Sequence, residues 1–195
     1  RDQVATQQNA EIQTSFYSRL EDLYQEPSED GFSAKLNQFF DAMNDFANNV
    51  EDIPTRVATI TEAESLASTL RQNAAALEDL RTAANEDVRA LVPTINGVAQ
   101  QIADLNFAIK TLEATGGTAN DLRDDRDVLL DELAGYINID YRERTDGQVD
   151  VLISGEELVI GNRAREIEAV PDGAIDPDRP DFLRVRFANN GTEVN

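Results

Sequence analysis

"LVPTINGVAQQIADLNFAIKTL", residues 91–112, is the stretch whose reading decides the fold. Its apolar positions Leu91, Ile95, Val98, Ile102, Leu105, Ile109 and Leu112 follow one another in alternating steps of four and three. A stripe with that spacing stays on one face of a helix and describes a coiled-coil seam. Towards the N-terminus, Val88, Ala84, Leu80, Leu77, Ala74, Leu70, Leu66, Ala63, Ile60 and Val57 continue it more loosely. A continuous helix from Thr55 to Ala114 would be a rod of roughly 90 Å at about 1.5 Å per residue. Pro93 and Gly97 stand inside it, so the sequence predicts either a rod kinked near Ala90 or two ordinary helices meeting at Pro93.

On the C-terminal side, "TGGT" (115–118) is a helix stop and a tight turn. Beyond it "NDLRDDRDVLLDEL" (120–133) opens a helix to about Asn138, and the short link implies that it returns antiparallel. At about 100° per residue, Leu122, Leu129, Leu130, Leu133 and Ile137 fall on one face, with the acids behind and beside them. Arg126 projects into the middle of that face. It either snorkels at the edge of the interface or reaches across to a carboxylate on a facing helix. The second reading is favoured, because the stripe continues on both sides of the arginine. Asn120 suits the N-cap, and Asp121 suits the positive end of the helix dipole.

The acids invite a search for chemistry. A calcium loop needs acidic or amide residues at its first, third and fifth positions, Gly at the sixth and Glu at the last. Starting from Asp125, the third position is Asp127, but the fifth is Leu129, the sixth Leu130 and the last Tyr136. A two-carboxylate hydrolase stays formally open, yet nothing marks a pair. The stretch therefore reads as a helix with a solvated acidic back, with no catalytic, cofactor-binding or metal-binding residues assigned.

The remaining elements follow from punctuation. A first helix is predicted from Val4 to about Tyr24, with Ile12, Phe16, Leu20 and Leu23 on one face. "QEPSEDG" (25–31) breaks it. Ser33 is the expected N-cap of a second helix to about Asn49, with Leu36, Phe39, Phe40, Met43 and Phe46 apolar and Phe32, Phe39, Phe40 and Phe46 read as core. Pro54 suits the first turn of the next helix. After residue 138 the composition shifts to β-branched runs. A strand over Ile137–Arg144, an Asp146–Gly147 hairpin, "QVDVLIS", "SGEELVIG", a loop carrying Pro171, Pro177 and Pro180, and "FLRVRF" follow in order. Tyr136 and Tyr141 are expected to pack near this junction. The fold class is thus mainly α with a β-rich C-terminal part. An elongated antiparallel bundle or coiled-coil-like rod over 1–138 is followed, over 139–195, by the start of an outer all-β domain.

Composition narrows function. A net charge of −21 repels nucleic acid and anionic membrane surfaces. The absence of Cys removes thiolate chemistry and zinc ribbons, and the absence of His removes the commonest general base. Only Lys35 and Lys110 are lysines, which leaves little for Schiff-base chemistry. No apolar run approaches the roughly 20 residues of a membrane span. The chain opens on Arg1 and stops at "FANNGTEVN" within a strand region, which suggests a piece of a longer protein. Asn190-Gly191-Thr192 matches a glycosylation acceptor, a pattern short enough to arise by chance.

Two blocks resemble a known family. "LYQEPSEDGFSAKLNQFFDAMNDFANNVED" is similar to a segment of the flagellar hook-associated protein 1 family in which a short helix follows an "EPS…G" turn. "INGVAQQIADLNFAIKTLEATGGTANDLRDDRDVLLDELAGYINIDYRERTDGQVDVLISGEELVIG" resembles its sequence of helix, Gly-rich turn, "NDL-x-D-x-RD-x-LLDEL" and hairpin, including the Arg126–Asp127 pair. The likeness covers most of residues 20–161 and fades after Asn162, as would suit a variable outer domain. It implies a structural subunit of the bacterial flagellum, outside the cell, exported by the flagellar type III channel and placed at the junction of hook and filament. The implied partners are other copies of itself, hook subunits and the next hook-associated protein. The family's axial terminal segments are missing from this chain, so the chain alone is expected to be monomeric. The competing reading is a secreted effector or adhesin that docks a helix along the 91–112 seam.

Overall fold

The computed structural model of the chain describes residues 2–24, 28, 31–171 and 182–194. Among the described residues, four helices precede six strands: α1 Asp2–Tyr24, α2 Phe32–Asn48, α3 Ile53–Ala114, α4 Asn120–Tyr136, β1 Asp140–Glu143, β2 Val149–Ile153, β3 Glu156–Ile160, β4 Arg163–Ala164, β5 Ile167–Pro171 and β6 Leu183–Phe187. Mainly α with a β-rich C-terminal part is therefore the architecture. Most of the "QEPSEDG" break and most of the proline loop lie outside the described residues.

α3 is a single helix that includes Pro93, so the reading of two helices meeting at that proline is replaced by one element. Its start is set by Asp52, whose carboxylate accepts from the Thr55 N–H at 3.2 Å and from the Thr55 hydroxyl at 2.5 Å. Pro54 sits in the first turn, where its missing N–H has no intrahelical role. α2 is preceded by Gly31 rather than capped by Ser33. Likewise α4 begins at Asn120 with Ala119 in the cap position and no side-chain cap, so Asn120 is a first-turn residue.

The chain divides into two compact units, one over Glu11–Ala83 and one built on Ala84–Asn195. In the first, Leu66 is the one buried apolar side chain among the described residues. Phe40 is 55% exposed and no residue of α2 is buried, so the aromatic core expected there is not closed within the unit. Its Thr59 hydroxyl donates to the Ala42 carbonyl at 3.1 Å, joining α3 to α2.

The second unit has a closed core. Val92, Ile95, Val98, Ala99, Ile102 and Ala103 of α3 and Leu130, Leu133 and Ala134 of α4 share it with Val149, Val151 and Ile153 of β2, Leu158 and Val159 of β3, Ile167 and Phe187. Helices and strands therefore bury one another across the 138/139 boundary suggested by composition. β1–β4 form an antiparallel meander and β5–β6 a separate antiparallel pair. Tyr136 and Tyr141 remain 40% and 49% exposed at its edge.

Two turns set the meander's register. Ser154 and Gly155 both have positive φ, 51° and 81°, as a two-residue primed hairpin turn between β2 and β3 requires. The β1–β2 loop is longer: Gly147 N–H donates to the Arg144 carbonyl at 3.1 Å, and Arg144 N–H to the Gln148 carbonyl at 2.8 Å. That is a three-residue loop whose last residue, Gly147, takes φ +80°. That φ strains any side chain, and a Cβ there would stand 2.7 Å from both Arg123 Nη2 and Glu113 Oε2, so the ends of that ion pair would have to shift.

Candidate functional site

The most densely bonded point of the second unit is Asn106, fully buried on α3. Its Nδ2 donates to the carbonyls of Val149 at 2.7 Å and Gly161 at 2.6 Å. Its Oδ1 accepts from the Val149 N–H at 3.0 Å and from Arg126 Nη1 at 2.9 Å. Two donors and two acceptors exhaust what an amide side chain offers. Asn106 thus satisfies strand backbone that a helix cannot otherwise reach.

Arg126 comes in from α4 with 3% of its surface exposed. Besides Asn106 it binds the Gly147 carbonyl through Nη1 at 2.7 Å, and its Nη2 stands 3.8 Å from Glu143. The arginine is therefore buried rather than snorkelling. Its main partners are an asparagine and a turn carbonyl, where a carboxylate on a facing helix was expected. Burial, reinforced by the neighbouring Arg123 charge, lowers its pKa from the usual guanidinium value, with Glu143 opposing. A guanidinium still keeps its proton in such a site. Nε is buried without a hydrogen-bond partner.

Arg123 closes the rim. It grips Glu113 of α3 with Nε and Nη2, each at 3.0 Å, and also pairs with Glu143 of β1. Hydrogen bonds to Glu143 and then Glu113 raise its pKa. Below them lies Asp150, 3% exposed on β2. It accepts from the Gly161 N–H at 2.9 Å, Arg142 at 3.2 Å and Arg144 at 3.4 Å. Burial pushes this carboxyl up, but the Gly161 N–H and the two guanidinium groups outweigh it and hold it below its ordinary value. A second clasp repeats the Asn106 device at the other end of the core. Asn96 Nδ2 donates to the Ile167 carbonyl, and the Ile167 N–H donates to Asn96 Oδ1, both at 2.9 Å.

The seam residues land unevenly. Ile95, Val98, Ile102 and Ile109 are buried, Leu105 is half-buried, and Leu91 and Leu112 are 37% and 39% exposed. On α4, Leu130 and Leu133 are fully buried, Leu122 and Leu129 half-buried, and Asn120 and Asp127 exposed. The buried ridge of α3 instead reads Val92, Ile95, Ala99, Ile102, Asn106, Ile109. It has the same three-and-four rhythm, with an asparagine in one of its places. Counting apolar residues alone passes over Asn106 and selects Leu105 beside it. Among the described residues, no group of three or more acids or other ligating side chains is placed to hold a metal ion.

What the arrangement does is hold: it converts two helices and a meander into one bonded body. Comparisons with known proteins agree with a structural part. The family model described as "Flagellar hook-associated protein FlgK helical domain" matches residues 17–195, so the likeness continues to the end of the chain rather than fading after Asn162. "Flagellar hook-associated protein 1" of Salmonella typhimurium is 32% identical over 91% of this chain and 32% of its own length. The protein of the same name from Escherichia coli is 31% identical over 86% of this chain and 31% of its own length. The chain thus spans about a third of the length of these relatives. The solved structure of the flagellar hook junction protein FlgK from Burkholderia pseudomallei shares the fold, with a TM-score of 0.75 at 24% identity over 96% of this chain and 33% of that one. With residues 17–195 matched by the family model, this chain belongs to the flagellar hook-associated protein FlgK helical-domain family.

Proposed function

We propose that this chain is the helical portion of an adaptor subunit at the hook–filament junction of a bacterial flagellum, working outside the cell after export. The observation that carries this reading is the family match over residues 17–195. Its partners are further copies of itself, hook subunits and the next hook-associated protein, and its role is mechanical rather than enzymatic. Two features support it. The Asn106–Arg126 lock gives the second unit a rigid bonded core. The first unit exposes Ile53, Val57 and Ile60 at 71%, 57% and 59%, apolar surface of the kind that a subunit array covers. The effector or adhesin reading has no such match behind it. By itself the chain stays monomeric; light scattering showing a stable oligomer would contradict this.

The test is a full-length gene carrying Val57→Asp together with Ile60→Asp, which alters exposed residues only. Cells should build hooks but shed filament subunits into the medium, and the purified variant should melt like the parent. Normal filaments and swimming would overturn the proposal.

A further inference from the structure

We propose that Asn190 is a site of spontaneous covalent modification, deamidating through a cyclic imide formed with Gly191, and that the fold protects the chain's other Asn–Gly pair, Asn96–Gly97. In the reaction the Gly191 backbone nitrogen gives its proton to solvent hydroxide and bonds to Cγ of Asn190. The Cγ–Nδ2 bond breaks, and ammonia leaves with a proton taken from water. Solvent water then opens the five-membered imide at either carbonyl, giving aspartate or isoaspartate. Nothing is oxidised or reduced, and water is the only co-reactant.

The two pairs are chemically identical and structurally opposite. Asn190 lies in the exposed turn after β6, and Gly191 takes φ +73° with open space where a side chain would stand. The Thr192 N–H donates to Asn190 Oδ1 at 3.0 Å. That bond draws electron density from Cγ and stabilises the negative oxygen that develops as the nitrogen attacks. One contact opposes the reaction: the Gly191 N–H donates to the Phe187 carbonyl at 2.9 Å. It has to open first, which an exposed turn does at small cost. Asn96, by contrast, sits inside α3 with both amide atoms held by Ile167 at 2.9 Å. A helical backbone also keeps the next nitrogen away from Cγ.

The product matters to the fold. Isoaspartate adds a methylene to the backbone between Phe187 and Val194. There the Phe187 N–H donates to the Thr192 carbonyl at 2.8 Å and the Val194 N–H to the Val185 carbonyl at 2.9 Å. Both bonds lose register, and Phe187 is a fully buried member of the core.

The experiment incubates the intact chain in mildly alkaline buffer, digests it with trypsin under mildly acidic conditions and follows two peptides by chromatography and mass spectrometry. They are the one beginning at Phe187 and the one spanning residues 90–110. The first should split into two forms, each one dalton heavier, at least about tenfold faster than the second converts. Denaturant should bring Asn96 up to the rate of Asn190, and Gly191→Ala should slow the first reaction. Three results would overturn the proposal: Asn190 staying intact while the free peptide FANNGTEVN converts, equal rates at the two pairs in the folded chain, or a sugar-sized mass on Asn190 in protein taken from cells.

Discussion

The two halves of α3 have similar local sequences and opposite surroundings. In Ile53–Ala83 the apolar residues are separated by Ala, Thr, Gln and Glu, and among the described ones only Leu66 is buried. In Ala84–Ala114 a stricter three-and-four rhythm carries Ile95, Ala99 and Ile102 into a core shared with α4 and two sheets. Helix formation by itself contributes little, since most helical stability comes from packing an amphipathic face. The contrast teaches that one unbroken helix can run from a region that leaves apolar surface exposed into a region that completes its own core.

The sharpest way to break the comparison is Asn106→Leu. It keeps the volume but strands the Val149 N–H, two buried carbonyls and one guanidinium donor. At about 1 kcal/mol for each lost bond, the second unit should lose about 4 kcal/mol in urea unfolding, with α2 hardly affected. A loss below about 1 kcal/mol would show that the strands do not depend on the asparagine. Arg126→Met comes next. It removes a buried charge along with its bonds, so the cost should be smaller, about 2–3 kcal/mol. Because Arg126 and Asn106 share a bond, the double variant should deviate from additivity by at least about 0.5 kcal/mol.

How much of this was legible in the sequence depends on which interaction decided each feature. The element order, the returning helix at Asn120 and the β2–β3 turn all follow from local punctuation such as Gly116–Gly117 and Ser154–Gly155. The buried face of α3 was displaced by about one residue, because Asn106 holds a seam position by hydrogen bonding rather than by apolarity. The partner of Arg126 was unreadable for a related reason. Asn106 meets it from α3 and the Gly147 carbonyl is brought to it by the hairpin, and no spacing along α4 encodes either. Asn120 and Ser33 are sound capping residues that stand one and two positions past the caps, Ala119 and Gly31.

A smaller effect concerns pH. Asp150 has a folded pKa below its ordinary 3.8, so its contribution is complete above that value and is lost as pH falls through the lower folded one. The second unit should therefore weaken below about pH 4, and Asp150→Asn should flatten that acid-induced loss. An unchanged acid slope would remove Asp150 from the account. The smallest effect belongs to the exposed half of α3. Val57→Ser should change the stability of the isolated chain by less than about 0.5 kcal/mol, measured by thermal melting.

Native-state hydrogen exchange along α3 tests the division most directly, because one continuous helix supplies both samples. Amides from Val92 to Ile109 should exchange only through global unfolding, at least about a hundredfold more slowly than those from Val57 to Ala83. Uniform protection from Ile53 to Ala114 would contradict the account, since it would mean that the first half is held as firmly as the half locked by Asn106 and Arg126.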